Sequence, residues 1–139
     1  MGGGGCFRFF GGVERMFDAE FFFRAVIEQD ADALRSFFHA DAWVGWKCTN
    51  EHFTVEEYIR ANCEYPGNWR GVVEKCVRTE TGCILAAKVW PAEESASFHA
   101  VSFLTIRDGK IAAMEEYWAD DGSAPEWRRQ MNIGRPIEE

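Results

Sequence analysis

Between residues 13 and 30 the apolar positions recur at three- and four-residue steps: Phe17, Phe21 and Ala25, with Phe22, Val26 and Ile27 beside them. That period is the mark of a helix with one broad buried face, and it predicts a helix starting near Val13. Asp30 and Asp32 interrupt it, and Leu34, Phe37 and Phe38 restart a short second helix for which either aspartate is available as N-cap. The pattern then changes to alternation with aromatic and β-branched residues, so 40–48 (ADAWVGWKC) reads as a strand. Thr54-Val-Glu-Glu57 is a capping box, in which the Thr hydroxyl and the Glu carboxylate satisfy each other's unpaired backbone N–H groups. Phe53 and Tyr58 flank it as a hydrophobic staple would. The helix that follows should run to Asn62 or Cys63 and end at Tyr65-Pro66-Gly67-Asn68, where Pro cannot continue it and Gly supplies a turn.

The second half alternates with period two between turn signals. Strands are expected over 70–79, 83–91, 95–107 and 110–119, with turns at Thr81-Gly82, near Ala92 to Glu94 and at Asp108-Gly109. This is an antiparallel meander. The tail from Asp120 carries Pro125, Trp127 and Pro136 and is expected to pack back over the sheet through Trp127. At the other end, residues 1–12 (MGGGGCFRFFGG) hold six glycines, too much backbone freedom for stable structure, so the folded domain is placed at 13–139.

Composition narrows the classes. A chain of 139 residues has the size of one domain with one core, and twelve Phe and six Trp are more ring surface than a core of that size needs, so some rings should line a cavity. Lys plus Arg total 15 against 23 Asp plus Glu, and the net charge of −8 repels a polyanion, which argues against a nucleic-acid partner. The acidic pairs Glu56/Glu57, Glu93/Glu94 and Asp120/Asp121 read as solvated faces. Five cysteines without a CxxC pair or zinc-like spacing signal neither a disulfide framework nor a metal site, and a reducing, cytoplasmic compartment is the expectation. Cys48 and Cys63 are expected to be inert buried thiols. No apolar run approaches the roughly 20 residues of a membrane span. A phosphate-binding glycine loop, a GxSxG elbow and a triplet of metal ligands are all missing, so no cofactor and no metal are expected.

Several stretches carry a family likeness: Asp32-Ala33-Leu34 before Phe37-Phe38, Cys48-Thr-Asn-Glu51 leading into the third helix, Tyr65-Pro-Gly-Asn-Trp69, and Asp108-Gly-Lys-Ile111 followed by Glu116-Tyr-Trp118. Over residues 14 to 136 the chain resembles the nuclear transport factor two-like superfamily, which includes SnoaL-like polyketide cyclases and ketosteroid isomerases. Its last segment, DGKIAAMEEYWADDGSAPEWR, looks like a bacterial subgroup of SnoaL-like proteins. The resemblance implies an α+β fold, a curved antiparallel sheet wrapped around N-terminal helices into a cone-shaped barrel with one pocket. It also implies homodimerisation through the outer sheet face, for which Val101, Phe103 and Tyr117 are available. Counted along the chain, the isomerases' catalytic base falls near Trp46, their phenolic donor near Phe22 and their protonated acid near Ser102 or Phe103. None of these positions holds the needed group, so that isomerase activity is not expected.

On the last strand Ala112, Met114, Glu116 and Trp118 share one face. The likeness to the isomerases' final strand turns Met114, Glu116 and Trp118 toward the pocket. Glu116 would then be a carboxylate on an aromatic wall, where desolvation raises its pKa and suits it to acid/base catalysis. Its neighbour across the hairpin depends on the turn. A two-residue Asp108-Gly109 loop sets Val101 opposite Glu116 and His99 opposite Trp118, whereas a loop that includes Arg107 puts Ala100, Ser102 and Phe98 on the Glu116 face. His99 or Ser102 is therefore the second catalytic candidate. Trp46, Trp69 and Trp118 are candidates for an aromatic cage around a small apolar or aromatic ligand, with Asn50, Tyr58 and Asn62 as neutral hydrogen-bonding groups. Two functions stay open: a small-molecule-binding domain, extending to a cofactor-free isomerase, cyclase or hydrolase, and a non-catalytic binding or adaptor module.

Overall fold

The structure, a computed structural model, describes residues 8–10 and 16–137. Of the glycine-rich start, Arg8–Phe10 forms a strand, β1, paired antiparallel with β2 (Met16–Asp18) so that Phe9 faces Phe17. The expected helix start at Val13 lies outside the described residues. Within them, α1 (Ala19–Glu28) begins only after Asp18, whose carboxylate accepts the Phe21 N–H at 3.1 Å. A side-chain cap at that point sets the boundary more sharply than the apolar period does. Asp30 caps α2 (Ala31–Ser36) by accepting from Ala33 N–H at 3.1 Å, which decides between the two aspartates. Asp32 instead pairs with Arg35.

Phe38 already belongs to β3 (Phe38–Trp46), which turns at Asn50 and returns as β4 (Glu51–Thr54), a strand too short to leave a pattern in the sequence. The capping box is formed, with Glu57 N–H donating to Thr54 Oγ1 at 3.2 Å and Thr54 N–H to Glu57 Oε1 at 2.9 Å, and it opens α3 (Val55–Cys63). Four long strands follow: β5 (Trp69–Arg78), β6 (Gly82–Pro91), β7 (Phe98–Arg107) and β8 (Lys110–Asp120).

These last four make the expected antiparallel meander, in one six-stranded sheet ordered β4-β3-β8-β7-β6-β5. The sheet is curved, mixed and unclosed rather than an all-antiparallel barrel, because β8 returns beside β3 and runs parallel to it. That crossover matters for the site, since it brings Trp46 level with Glu116. The concave face packs on the helices: Phe22 tilts against Phe37 and Phe38 at 5.5 and 5.9 Å, and Leu34, Ile111 and Met114 are fully buried.

Three further expectations fail. Trp127, on the four-residue α4 (Glu126–Arg129), is 62% exposed with Arg128 stacked on its ring, because so short a helix presents no apolar stripe to dock. Cys48 is exposed rather than buried, since it sits in the β3–β4 turn. Cys76 is disulfide-bonded, a bridge that the cysteine spacing did not signal. Among the described residues no helix is long and apolar enough to cross a membrane.

A ring-walled pocket above a buried carboxylate

The β7–β8 hairpin decides which side chains meet. Asp108 (φ 52°) and Gly109 (φ 77°) form a two-residue turn between paired Arg107 and Lys110, and Ile106 faces Ile111. Immediately beyond, the register slips: Thr105 faces Ala113, leaving Ala112 as a bulge. One extra residue reverses the parity of everything that follows. Ser102 therefore faces Glu116 and Ala100 faces Trp118, while His99 is opposite Ala119 on the outer side. The turn is the first of the two alternatives, yet the bulge delivers the Ser102 outcome of the second.

Glu116 is 6% exposed and its carboxylate is wholly engaged by neutral donors. Oε1 accepts from Trp46 Nε1–H at 2.9 Å and from Trp118 Nε1–H at 3.4 Å, and Oε2 accepts from the Ser102 hydroxyl at 2.6 Å. Burial pushes the Glu116 pKa above the ordinary glutamate value, and the three donors, which favour the charged form, only partly offset it. The neighbouring Tyr58 is pushed well above the usual phenol range, first by burial and then by the Glu116 charge.

Beside this cluster opens a cavity of about 420 Å³. Trp46 and Trp118 form one wall, their rings 6.5 Å apart at 63°. Trp69, Tyr65 and Phe98 form another, with Trp69 at 5.4 Å from Tyr65 and 5.8 Å from Phe98. Trp69 is held by its N–H donating to Pro66 C=O at 3.0 Å. The helical side is closed by Val26, Ile27 and Ala61. Two amides tie α1 to the end of α3 there: Asn62 Nδ2 donates to Val26 C=O at 3.1 Å, and Gln29 Nε2 donates to Asn62 C=O and Tyr65 C=O.

The structure thus brings together Glu116, Ser102, Trp46 and Trp118, and lines the cavity with Trp46, Trp118, Trp69 and Asn62. It does not bring in the other four. His99 lies on the outer face, where Nδ1 meets Asp121 at 2.5 Å and Nε2 approaches Glu74 at 3.4 Å, and the bond to Asp121 raises its pKa. Asn50 occupies a left-handed turn position (φ 58°) and borders a separate hollow with Trp43 and Glu115. Tyr58 is a core residue packed between Phe38 and Trp46. Met114, at 0% exposure, is core beneath the cavity rather than part of its wall.

The sequence reading missed Tyr65, Phe98, Gln29 and Asp120 as wall residues. Phe98 and Asp120 were within reach, because each shares strand parity with a residue already singled out, Ser102 and Glu116. Gln29 carried no such signal, being the C-cap of α1 in a left-handed conformation (φ 54°).

No family model and no curated protein matches the chain. Solved structures do. A candidate ketosteroid isomerase from Kribbella flavida superposes with a TM-score of 0.71 at 20% identity, over 86% of this chain and 88% of that one. A candidate polyketide cyclase from Sinorhizobium meliloti gives a TM-score of 0.56 at 23% identity, over 69% and 89%. A protein of ketosteroid isomerase-like fold from Catenulispora acidiphila, in complex with trimethylamine, gives 0.61 at 15% identity, over 70% and 82%. The fold is that of the nuclear transport factor two-like superfamily, as the sequence resemblance implied.

Proposed function

We propose that this nuclear transport factor two-like domain binds a small, largely apolar organic molecule in the pocket walled by Trp46, Trp69 and Trp118. The open volume of about 420 Å³ carries the reading, since it lies in the range of small-molecule sites and its walls are mostly ring and aliphatic carbon with a few amide and acid groups. A cavity filled by its own rings would have spoken for a purely structural domain. The trimethylamine bound to the Catenulispora protein supports the idea that this fold admits small organic molecules.

Catalysis is the finer proposal. A buried glutamate with a raised pKa favours cofactor-free acid/base chemistry of the isomerase, cyclase or hydrolase kind. Glu116 lies beneath the Trp46 and Trp118 indoles, so a ligand would reach its oxygens only if one indole N–H let go. Ser102 is committed to Glu116 and would set its orientation rather than polarise a ligand. The second reading, a dimerising adaptor, draws support from the outer sheet face, where Phe103 and Tyr117 are 42% and 44% exposed and pack on each other at 6.0 Å.

A fragment screen by tryptophan fluorescence, repeated on Trp69→Ala and on Phe103→Lys, separates the two. Hits that bind the native protein should lose at least about tenfold in affinity with Trp69→Ala, the scale of one stacked ring. Hits indifferent to Trp69, together with a dimer by light scattering that Phe103→Lys dissolves, would replace the pocket reading with the adaptor one.

A further inference from the structure

We propose that the pocket selects an organic ammonium, a quaternary or protonated tertiary amine, over neutral and anionic molecules of the same shape. This deepens the binding reading above and rests on it. The inward column of β8 runs Met114, Glu116, Trp118, Asp120 from the core to the pocket mouth, so two carboxylates bracket one indole. Asp120 borders the cavity opposite Phe98 and makes no ion pair among the described residues, unlike Asp121 beside it, which is taken by Ser97 and His99. Among the described residues, none of those that line the cavity is Lys, Arg or His. An anion entering there would meet Asp120 at the wall, with Glu116 behind the indoles and no compensating charge in the lining. A cation would meet the reverse.

The rings fit the same ligand. Trp46 and Trp118 both turn their N–H edges toward Glu116, which leaves ring carbon for the cavity. Donating to a carboxylate polarises each indole so that its π-system carries more negative charge, and a cation is drawn to such a face. The planes stand at 63° for Trp46 and Trp118 and at 47° for Trp69 and Phe98, so the walls enclose a compact group instead of forming the parallel plates that a flat ring prefers. The chain's net charge of −8 adds long-range attraction for a cation.

The test uses three molecules of nearly identical shape: choline, its carbon analogue 3,3-dimethylbutan-1-ol, and 3,3-dimethylbutanoate. Each is titrated into the full chain while the indole N–H resonances of Trp46 and Trp118 are followed by NMR. Choline should bind at least about tenfold more tightly than the alcohol and the carboxylate should not bind, as expected for a cation among rings with a nearby acid. Asp120→Asn, an exposed position that leaves the fold intact, should reduce choline affinity several-fold and leave the alcohol unchanged. Equal or tighter binding of the alcohol, binding of the carboxylate, or choline affinity untouched by Asp120→Asn would overturn the charge preference while the binding reading survives. If neither choline nor the alcohol moves the two indole signals, and the fragment screen is also empty, both fall together.

Discussion

Replacing Glu116 with Gln tests the central feature of the molecule, a carboxylate held in a dry site by neutral donors alone. The shapes match, and the hydrogen bonds can be kept. The amide oxygen accepts from both indoles, and the amide nitrogen donates to a Ser102 hydroxyl rotated to accept. What changes is the charge. In the native protein the folded-state pKa of Glu116 lies above the ordinary value of 4.5. Below that value both folded and unfolded chains carry the proton, and burial of the neutral acid costs little. As pH rises the unfolded chain ionises first, so the folded state binds more protons and stability falls until the raised pKa is passed. The loss is about 1.4 kcal/mol for each unit by which the folded value exceeds the unfolded one. Gln has no such slope. Urea unfolding of both proteins from pH 4 to pH 8 should therefore give stabilities within about 1 kcal/mol of each other at pH 4, the scale of one exchanged hydrogen bond. The difference should then move in favour of Glu116→Gln as pH rises, and taking the difference cancels every other titrating group. Glu116→Leu is the contrast, because it strands the two indole N–H groups and the Ser102 hydroxyl without an acceptor, and about 3 kcal/mol or more should be lost. A native-minus-Gln difference that is flat across the pH range would refute the account of a desolvated carboxylate.

Gly82→Ala should be strongly destabilising. An added Cβ would lie 1.9 Å from the Leu104 carbonyl oxygen, so β6 and β7 must separate at about 1–3 kcal/mol or more, readable as a drop in the urea midpoint. Thr54→Ala removes the cap of α3 and should cost about 1 kcal/mol by the same measurement; no change would mean the capping box is idle. His99, held above its ordinary pKa first by the bond to Asp121, contributes stability below pH 6.5 that is lost as pH rises through the raised value. An NMR titration of His99 should show that raised pKa, and Asp121→Asn should bring it down; a pKa indifferent to Asp121 would undo the assignment.

Much of the scaffold was legible because its cues are local. The capping box at Thr54, the helix break before Ala31 and the Asp108-Gly109 turn each depend on a few neighbouring residues, whereas the inward direction of Met114, Glu116 and Trp118 came from the family resemblance. A hydroxyl three residues before a carboxylate, or a residue that tolerates φ > 0 between two strands, acts through contacts the chain makes with itself within one turn. The same locality explains the failures at the edges, where the apolar period overran the true start of α1 by ignoring the cap at Asp18.

The site was less legible, and the reason is the bulge at Ala112. Ile111 and Met114 are three residues apart and both are fully buried, which strict alternation cannot achieve on one face. The spacing hinted at an irregularity. Its position was set by the demand that Ile106, Leu104 and Ile111 share the core with Met114 and Glu116, a packing condition on two whole strands. Likewise the parallel pairing of β3 with β8 joins Trp46 to Glu116 across 70 positions of sequence, and no local cue encodes such a meeting. The amino-acid order alone determined the three main helices and the long strands, the caps and turns between several of them, and an acidic, ring-rich character. Tertiary structure alone decided which side chains became neighbours, Ser102 and two indoles rather than His99, because register and crossover are resolved only when all the apolar faces must be buried at once.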